Sequence, residues 1–221
     1  MTRPPQEPAT QTPDAGGPAH PPKRDQIMAG ARRAFFASGF EATSMGEIAR
    51  KAGVSKGTLY VYFDSKEALF TALVEEMRGQ CAEQLTAVDA ADPDVARALT
   101  TYATQLILRL SAPDHIRLLR MVIAAADRFP APAQNFYRAG PCHGAAIVSG
   151  YLRNLHAAGR LHLSDPERAA WQFNAMVMVP VMSGVLMGDR SAPDAAEAEA
   201  MARGAVETFL AAFPLIDQPG S

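Results

Sequence analysis

The stretch TSMGEIARKAGVSKGTLYVYFDSKEALF, residues 43–70, decides the fold of this chain. It holds two short segments with helical spacing of apolar residues, and Gly53 lies between them. Thr43 or Ser44 is expected to cap the first segment and Ser55 the second, because each lies where a side-chain oxygen can cap a helix. Two capped helices joined by a glycine turn predict a helix–turn–helix over about residues 44–63.

The first turn of the second helix contains an unexpected glycine. Glycine inside a helix costs about 1 kcal/mol relative to alanine, so Gly57 needs a reason. A helix–turn–helix presents the start of its second helix to the major groove, where a missing side chain lets the backbone approach the sugar–phosphate wall. Lys56 and Thr58 are then candidates for base edges, and the long, hydroxyl-tipped Tyr60 and Tyr62 for phosphates.

Charge is unevenly distributed along the chain. Eight Lys and Arg against four Asp and Glu give residues 23–66 a net charge of +4, and because the whole chain has −2 the remainder has −6. The asymmetry indicates that this end of the chain meets a polyanion. Solvated helix faces can give a similar pattern.

The rest of the chain has helical periodicity, interrupted by prolines and glycines, and predicts an all-α protein of about nine helices. Residues 1–22 contain seven prolines and few large apolar side chains, which predicts a disordered tail. The sequence thus divides into that tail, a DNA-binding domain over 23–70 and a second helical domain over 71–221. Helices beyond the DNA-binding domain are predicted at about 94–111, 114–127, 132–158, 166–187 and 194–213.

Several function classes find no support in the residues. Cys81 and Cys142 lie far apart, and the histidines do not have metal-ligand spacing, so we expect neither a disulfide nor a metal site nor a cofactor. There is no signal peptide, and the longest apolar run, residues 175–182, is far shorter than the ~20 residues that span a bilayer. We expect a cytoplasmic protein without membrane contact. No catalytic triad, carboxylate pair or phosphate loop supports the alternative of an all-helical enzyme.

Residues 23–70 closely resemble the DNA-binding domain of the tetracycline-repressor (TetR) family of bacterial regulators, in the IA..AGVS.GTLY.YF core and the K-E-x-L-F start of the next helix. Val61 and Asp64 depart slightly from the family pattern. Residues 115–141 resemble, less closely, an AcrR/AefR-like subgroup. The resemblance implies double-stranded operator DNA as partner, contacted by Thr43, Ser55, Lys56, Gly57, Thr58, Tyr60, Tyr62 and Lys66.

The resemblance also implies that the second domain binds an effector and forms a homodimer. Helix 166–187 is apolar nearly all round, so we expect it and helix 194–213 to form the dimer interface. A hydrophobic effector is expected among the fourth to eighth helices, where methionines can adapt to its shape. The candidate pocket residues, each of which could also be plain core, are Phe70, Met77, Tyr102, Met121, Phe129, Tyr137, His143 and Trp171.

Three functions are therefore compared. The first is a homodimeric repressor that a small hydrophobic effector releases from its operator, with an activator as the variant that the sequence does not separate. The second is an all-helical enzyme, for which the sequence shows no catalytic motif. The third is an effector-less DNA-binding or interaction module. Neither the effector nor the operator sequence follows from the residues.

Overall fold

A computed structural model describes residues 22–84, 87–90 and 92–216. The predicted disordered tail, apart from Pro22, lies outside the described residues. The described residues form ten helices: α1 (Lys23–Ala42), α2 (Met45–Ala52), α3 (Lys56–Tyr62), α4 (Lys66–Gln84), α5 (Val95–Leu110), α6 (Pro113–Ala125), α7 (Pro130–Ala139), α8 (Pro141–Ala157), α9 (Pro166–Met187) and α10 (Ala195–Ala212). The all-α prediction is confirmed.

The segment predicted as one helix over 132–158 is in fact two helices, α7 and α8. They meet at Gly140 and Pro141, where Gly140 has φ −100° and ψ −88°. Proline lacks an N–H and its ring disfavours helical backbone at the preceding residue, so the chain bends there and begins again. Proline is then well placed as the first residue of α8.

Two hydrophobic clusters form the core. The first joins α1, α2 and α3 to one face of α4, α6 and α7, and it includes Phe35, Leu59, Phe70, Val122 and Phe136. The second is built mainly from α5, α8, α9 and α10. Because α4, α6 and α7 complete the first cluster, the helix–turn–helix region packs directly on the rest of the molecule.

Four phenylalanines form the centre of the first cluster. The ring centroids of Phe40 and Phe70 lie 4.8 Å apart, and Phe40 lies 5.6 Å from Phe129. Phe35 meets Phe70 edge-on at 5.5 Å. Gly39, with φ 76° and ψ 171°, interrupts α1 just before Phe40 and turns that ring inward. Buried aromatic contacts of this kind hold the end of α1 against α4 and the start of α7.

The crossing of α1 and α2 is unusually close at Gly30. A Cβ atom on Gly30 would lie 2.4 Å from the Cβ of Ala52 and 2.5 Å from its Cα, so only glycine fits. Beside this contact the Gln26 side-chain amide donates to the Ala52 carbonyl at 2.8 Å. The bond satisfies a carbonyl that the end of α2 would otherwise leave free, and it fixes α2 relative to α1.

An ion-pair cluster ties α1 to α6. Arg32 and Arg117 both donate to the Asp114 carboxylate, and both guanidinium groups lie over the Phe36 ring. Glu41, at the end of α1, accepts from Arg128 at 3.1 Å. Exposed ion pairs of this kind stabilise the fold by less than about 1 kcal/mol each, but several between the same elements restrict their relative position.

Helix α9 is the most apolar helix of the described residues. It packs on α5, α8 and α10 through Phe173, Val177, Val181 and Val185. By length and composition it could cross a membrane, with mean hydropathy 1.3 over its best window, of which 28% is buried. A single helix of this kind is weak evidence of a membrane span.

Candidate nucleic-acid interface and internal cavity

Both helices of the motif begin at a serine cap, and a glycine turn joins them. The Ser44 Oγ accepts from the Glu47 N–H at 3.2 Å, and the Ser55 Oγ accepts from the Thr58 N–H at 3.0 Å. Gly53 has φ 66° and ψ 34°, the left-handed conformation that only glycine adopts without strain. The predicted helix–turn–helix is therefore present, with α2 and α3 as its two helices.

The inner face of α3 fixes the helix on the protein. Leu59 is fully buried and packs with Ile48 and Ala49 of α2, and Val54 of the turn is half-buried against the same cluster. Phe63, which follows α3, is also buried. Since these contacts occupy one side of a seven-residue helix, its other side is left facing outward.

The outer face of α3 is both exposed and aromatic. Tyr60 is 50% exposed, Val61 82% and Tyr62 44%, and Lys56 and Gly57 are exposed beside them. Large apolar side chains in contact with water are typical of surfaces that bind a partner. The face therefore combines a cation, two phenol hydroxyls and a bare stretch of backbone.

Nothing inside the described part of the chain requires glycine at position 57. A Cβ built there would meet only the Ser55 Oγ, at 3.7 Å, which is an ordinary contact. The backbone is helical, and Gly57 is not among the glycines with positive φ. The described residues therefore give no internal reason for a glycine at this position.

Lys56 lies across the start of α2. A Cβ on Gly46 would stand 2.8 Å from the Lys56 Cε and 3.2 Å from its Nζ, so Gly46 leaves room for the lysine stem. The ammonium group thereby lies between the first turns of α2 and α3. Its charge is placed beside the exposed backbone of Gly57.

Thr43 has a different role from the predicted one. Its side chain is 2% exposed, and its hydroxyl donates to the Gly39 carbonyl at 2.6 Å. The hydroxyl is therefore turned into the protein, where it satisfies a carbonyl at the break in α1, and the DNA contact by Thr43 stays a prediction. Ser44, not Thr43, caps α2.

Lys66 also has an internal role that the sequence does not indicate. Its Nζ donates to the carbonyls of Phe40 at 2.9 Å and Glu41 at 3.2 Å, and it lies 4.4 Å from the Phe40 ring centroid. An ammonium group has three donors, so one N–H is left over in this arrangement. Lys66 first holds the end of α1 against the start of α4, and any phosphate contact uses that third donor.

A cavity of about 380 Å³ lies between α5, α6, α7, α8 and α9. This is within the range of sites that hold small molecules. Its lining is almost wholly apolar and consists of Leu106, Leu110, His115, Leu119, Phe136, Ala139, Gly140, Pro141, His143, Gly144, Ile147, Trp171, Asn174, Ala175, Met178, Val179 and Met182.

The cavity contains two of the eight predicted pocket residues, His143 and Trp171. Two more lie beside it, because the Tyr137 ring stacks on Trp171 at 6.4 Å and the Tyr102 hydroxyl donates to the Gly144 carbonyl at 3.4 Å. The other four belong to the first hydrophobic cluster instead: Phe70, Met77, Met121 and Phe129. These four side chains pack within that cluster, and none of the lining residues that the structure describes comes from α4.

Two polar side chains of the lining are partly or largely buried. Burial lowers the pKa of His115 to about 4, so its imidazole is neutral at physiological pH. Its ring lies 5.7 Å from that of Phe136. The Asn174 Oδ1 is buried and has no hydrogen-bond partner among the described residues. A buried acceptor without a donor is uncommon in native proteins and points to an absent partner.

The described residues do not indicate a metal site. No group of three or more His, Cys, Asp or Glu side chains could hold a metal ion within residues 22–84, 87–90 and 92–216.

A helix–turn–helix with an exposed second helix, joined to an all-helical body that encloses an apolar cavity, defines a DNA-binding transcriptional regulator. Residues 27–73 match the family of bacterial regulatory proteins called the tetR family, and residues 97–214 match the C-terminal domain of AefR-like transcriptional repressors. The chain belongs to the TetR family, whose members are DNA-binding regulators and not enzymes.

Solved structures agree over nearly the whole chain. A TetR-family regulator from Mesorhizobium loti MAFF303099 is 31% identical with a TM-score of 0.78, covering 86% of this chain and 96% of that one. The flavonoid-responsive regulator FrrA is also 31% identical, with a TM-score of 0.74 over 90% and 98% of the two chains. Both likenesses include the body and not only the helix–turn–helix.

Curated relatives match over a shorter region. The fatty acid metabolism regulator protein of Bacillus subtilis (strain 168) is 36% identical over 64 residues, which cover 29% of this chain and 33% of the relative. The repressor AcnR of Corynebacterium diphtheriae is 36% identical over 61 residues, 28% of this chain and 32% of the relative. The matches thus span about a third of these relatives.

Sequence reasoning missed three features of the site. Gly30 sets the crossing of α1 and α2, and helical periodicity alone does not indicate which glycine meets a partner. His115 and Asn174 give the cavity its polar groups. Asn174 could have been noticed, because it is a polar residue within the apolar run of α9.

Proposed function

We propose that this chain acts as a homodimeric repressor that binds operator DNA through α3 and leaves it when a small apolar molecule enters the cavity. The observation that supports DNA binding by α3 most strongly is Gly57, a helical glycine for which the protein itself has no need. In the complex, Gly57 admits the backbone to the sugar–phosphate wall while Lys56 and Thr58 meet base edges. Tyr60 and Tyr62 contact phosphates from the same exposed face.

The dimer forms through α9 and α10. The outward side of α9 is largely apolar, with Val179 61% and Met187 80% exposed in a single chain. On α10 the outward residues include the small Ala196, Ala200 and Gly204, which allow a second helix to approach. A pair of α3 helices related by a two-fold axis reads two half-sites about one DNA turn apart.

Coupling between cavity and DNA runs through α6. One side of α6 contributes His115 and Leu119 to the cavity, and the other side contributes Leu118 and Val122 to the first hydrophobic cluster. Asp114 at the start of α6 pairs with Arg32 of α1. A ligand that shifts α6 therefore displaces α1, α2 and α3 together and changes the separation of the two α3 helices.

The effector is an apolar small molecule. The cavity supports this class because its lining consists mainly of apolar residues, among them leucine, methionine and aromatic side chains. Related regulators whose names refer to flavonoids and to fatty acid metabolism are consistent with it. The cavity also argues against the effector-less alternative. A DNA-bound regulator of this kind works in the cytoplasm.

A gel shift on the DNA upstream of the protein's own gene, at a stated salt concentration, tests the proposal. The wild-type chain should bind specifically, and Lys56→Ala should bind roughly tenfold more weakly. Arg153→Ala, which removes one exposed positive charge from α8, is the matched control and should bind like wild type. Equal loss in both variants, or no specific complex with wild type, would contradict the proposal.

A further inference from the structure

The cavity has a chemical preference that its apolar character alone does not describe. Asn174 lies on α9 between apolar neighbours and lines the cavity. Its Oδ1 is shielded from water and accepts no hydrogen bond from the described residues. The amide can rotate about its Cβ–Cγ bond, since this torsion is broad for asparagine, and so turn the oxygen toward the cavity. An entering molecule with a hydrogen-bond donor would supply the missing partner.

Charge is excluded from the same space. Among the described residues the lining contains no Asp, Glu, Lys or Arg, and His115 is neutral because burial lowers its pKa to about 4. His143 is exposed, at the edge of the cavity. A charged ligand would give up its hydration without finding a counter-ion inside.

From these two observations we infer that the effector is an uncharged, mainly apolar molecule with a hydroxyl group that donates to the Asn174 side chain. The inference rests on the proposed effector function of the cavity and narrows it to neutral hydroxylated compounds. Carboxylates of similar shape are excluded because the described lining offers neither Lys nor Arg to pair with them and His115 is neutral.

Three probes of matched shape test the inference: 4-tert-butylphenol, 4-tert-butylanisole, which lacks the donor, and 4-tert-butylbenzoate, which is anionic. Binding to the full chain is followed by the fluorescence of Trp171, the only tryptophan, which lies in the cavity lining. Excitation at the red edge of tryptophan absorption avoids the probes. We expect the phenol to bind roughly tenfold more tightly than the anisole, and the benzoate most weakly.

The variant Asn174→Leu tests whether the Asn174 side chain causes the preference for the phenol over the anisole. In this variant the phenol should lose its advantage over the anisole, whereas Asn154→Leu on the exposed face of α8 should keep it. A phenol preference that survives in Asn174→Leu overturns the inference. The inference is also overturned if the benzoate binds the wild-type chain as tightly as the phenol does. It is overturned as well if none of the three probes binds the wild-type chain.

The outcome is separable from that of the proposed function. Probe binding is measured without DNA, so it tests the cavity alone. If the chain binds no operator but discriminates the probes, the proposed function fails and the cavity preference stands. If the operator complex forms and the probes show no preference, only the inference fails.

Discussion

At Gly57, the stability of the fold and the proposed binding of DNA favour different residues. For stability alone, alanine would be the better residue, because a Cβ fits without a close contact and favours the helix. For DNA binding, a side chain at this place separates the α3 backbone from the duplex. A substitution here should therefore change stability and affinity in opposite directions.

We expect Gly57→Ala to raise the free energy of unfolding by up to about 1 kcal/mol, because alanine restricts the unfolded chain and favours the helix. Operator affinity should fall roughly tenfold or more, since the methyl group holds the helix off the groove. Urea unfolding and a gel shift at fixed salt measure the two effects.

Gly79→Ala on α4 is the control for this pair of measurements. A Cβ on Gly79 also meets nothing within 4 Å, so the same gain in stability is expected with no change in operator affinity. Full operator affinity in Gly57→Ala would show that the glycine serves neither the fold nor the DNA.

His115 predicts a pH dependence of stability. Its folded pKa is about 4 because of burial, below its ordinary value of 6.5, so the unfolded chain binds a proton that the folded chain does not. The free energy of unfolding should fall as the pH drops from 6.5 to 4, by up to about 3 kcal/mol. Above pH 6.5 this residue should contribute no slope.

The measurement compares urea unfolding of wild type and His115→Leu across this pH range. Carboxylates titrate in both proteins, so the difference between the two curves isolates the histidine. The variant should lose less stability on acidification than wild type does. Parallel curves would mean that His115 is accessible to water in the folded protein.

Local signals at the residue scale were readable from the sequence. Ser44, Ser55 and Gly53 act on their immediate neighbours, and all three have the geometry that their positions predict. The internal hydrogen bonds of Thr43 and Lys66 were not predicted because their partners, the carbonyls of Gly39, Phe40 and Glu41, depend on how α1 ends and where α4 begins. Whether a side chain forms hydrogen bonds within its own protein or with DNA depends on the tertiary structure and not only on neighbouring residues.

At the scale of elements, the close crossing of α1 and α2 fixes α2, and α2 in turn supports α3, the helix that we propose binds DNA. We expect Gly30→Ala to destabilise the protein by about 1–3 kcal/mol, because the new methyl group would lie 2.4 Å from the Ala52 Cβ and the backbone has to move. Thermal unfolding measures the loss. Since α2 supports α3, operator affinity should fall as well.

Phenol binding to the cavity provides the control for Gly30→Ala. The cavity lies between other helices and should keep its affinity wherever the variant is folded. If Gly30→Ala is as stable as wild type, the two helices can separate without cost and the crossing does not fix α3.

Four of the eight predicted pocket residues lie outside the cavity, and the reason is found in the helices that carry them. Periodicity identifies the apolar side of a helix, but α6 is apolar on two sides, and one faces the cavity while the other faces α1. Met121 lies on the second side, and Phe70 faces the same cluster from α4. The break between α7 and α8 was missed although Gly140 and Pro141 are a strong local signal.

At the scale of the whole molecule, the proposed dimer gives α9 and α10 their reason for an unburied face. Gly204 is exposed on α10, and a Cβ built there meets no other described residue within 4 Å, so a larger side chain can point outward. We expect Gly204→Trp to fold normally but to be monomeric by light scattering, since the ring keeps the second α10 away. Its operator affinity should fall because one α3 reads only half a site.

Gly79→Trp, on α4, is the matched control, as its position is equally open within the chain and lies outside α9 and α10. It should have the mass of a dimer. A dimeric Gly204→Trp would move the interface away from α10.

The fold at this scale was predictable because the helix–turn–helix stretch is so specific, and the match over residues 97–214 extends it to the body. The cavity was not predictable in detail, because it depends on five helices meeting at once. Its described lining comes from α5 to α9, and in the proposed mechanism α6 joins the ligand to the DNA.

Hydroxyl-radical footprinting of the wild-type chain on its upstream DNA tests the central claim most directly. Two α3 helices in successive major grooves should protect two segments on one face of the duplex, about 34–36 Å apart. Both segments should lose protection in Gly57→Ala at the same protein concentration. A footprint that Gly57→Ala leaves intact, or protection of a single segment, would contradict the claim that paired α3 helices read the DNA.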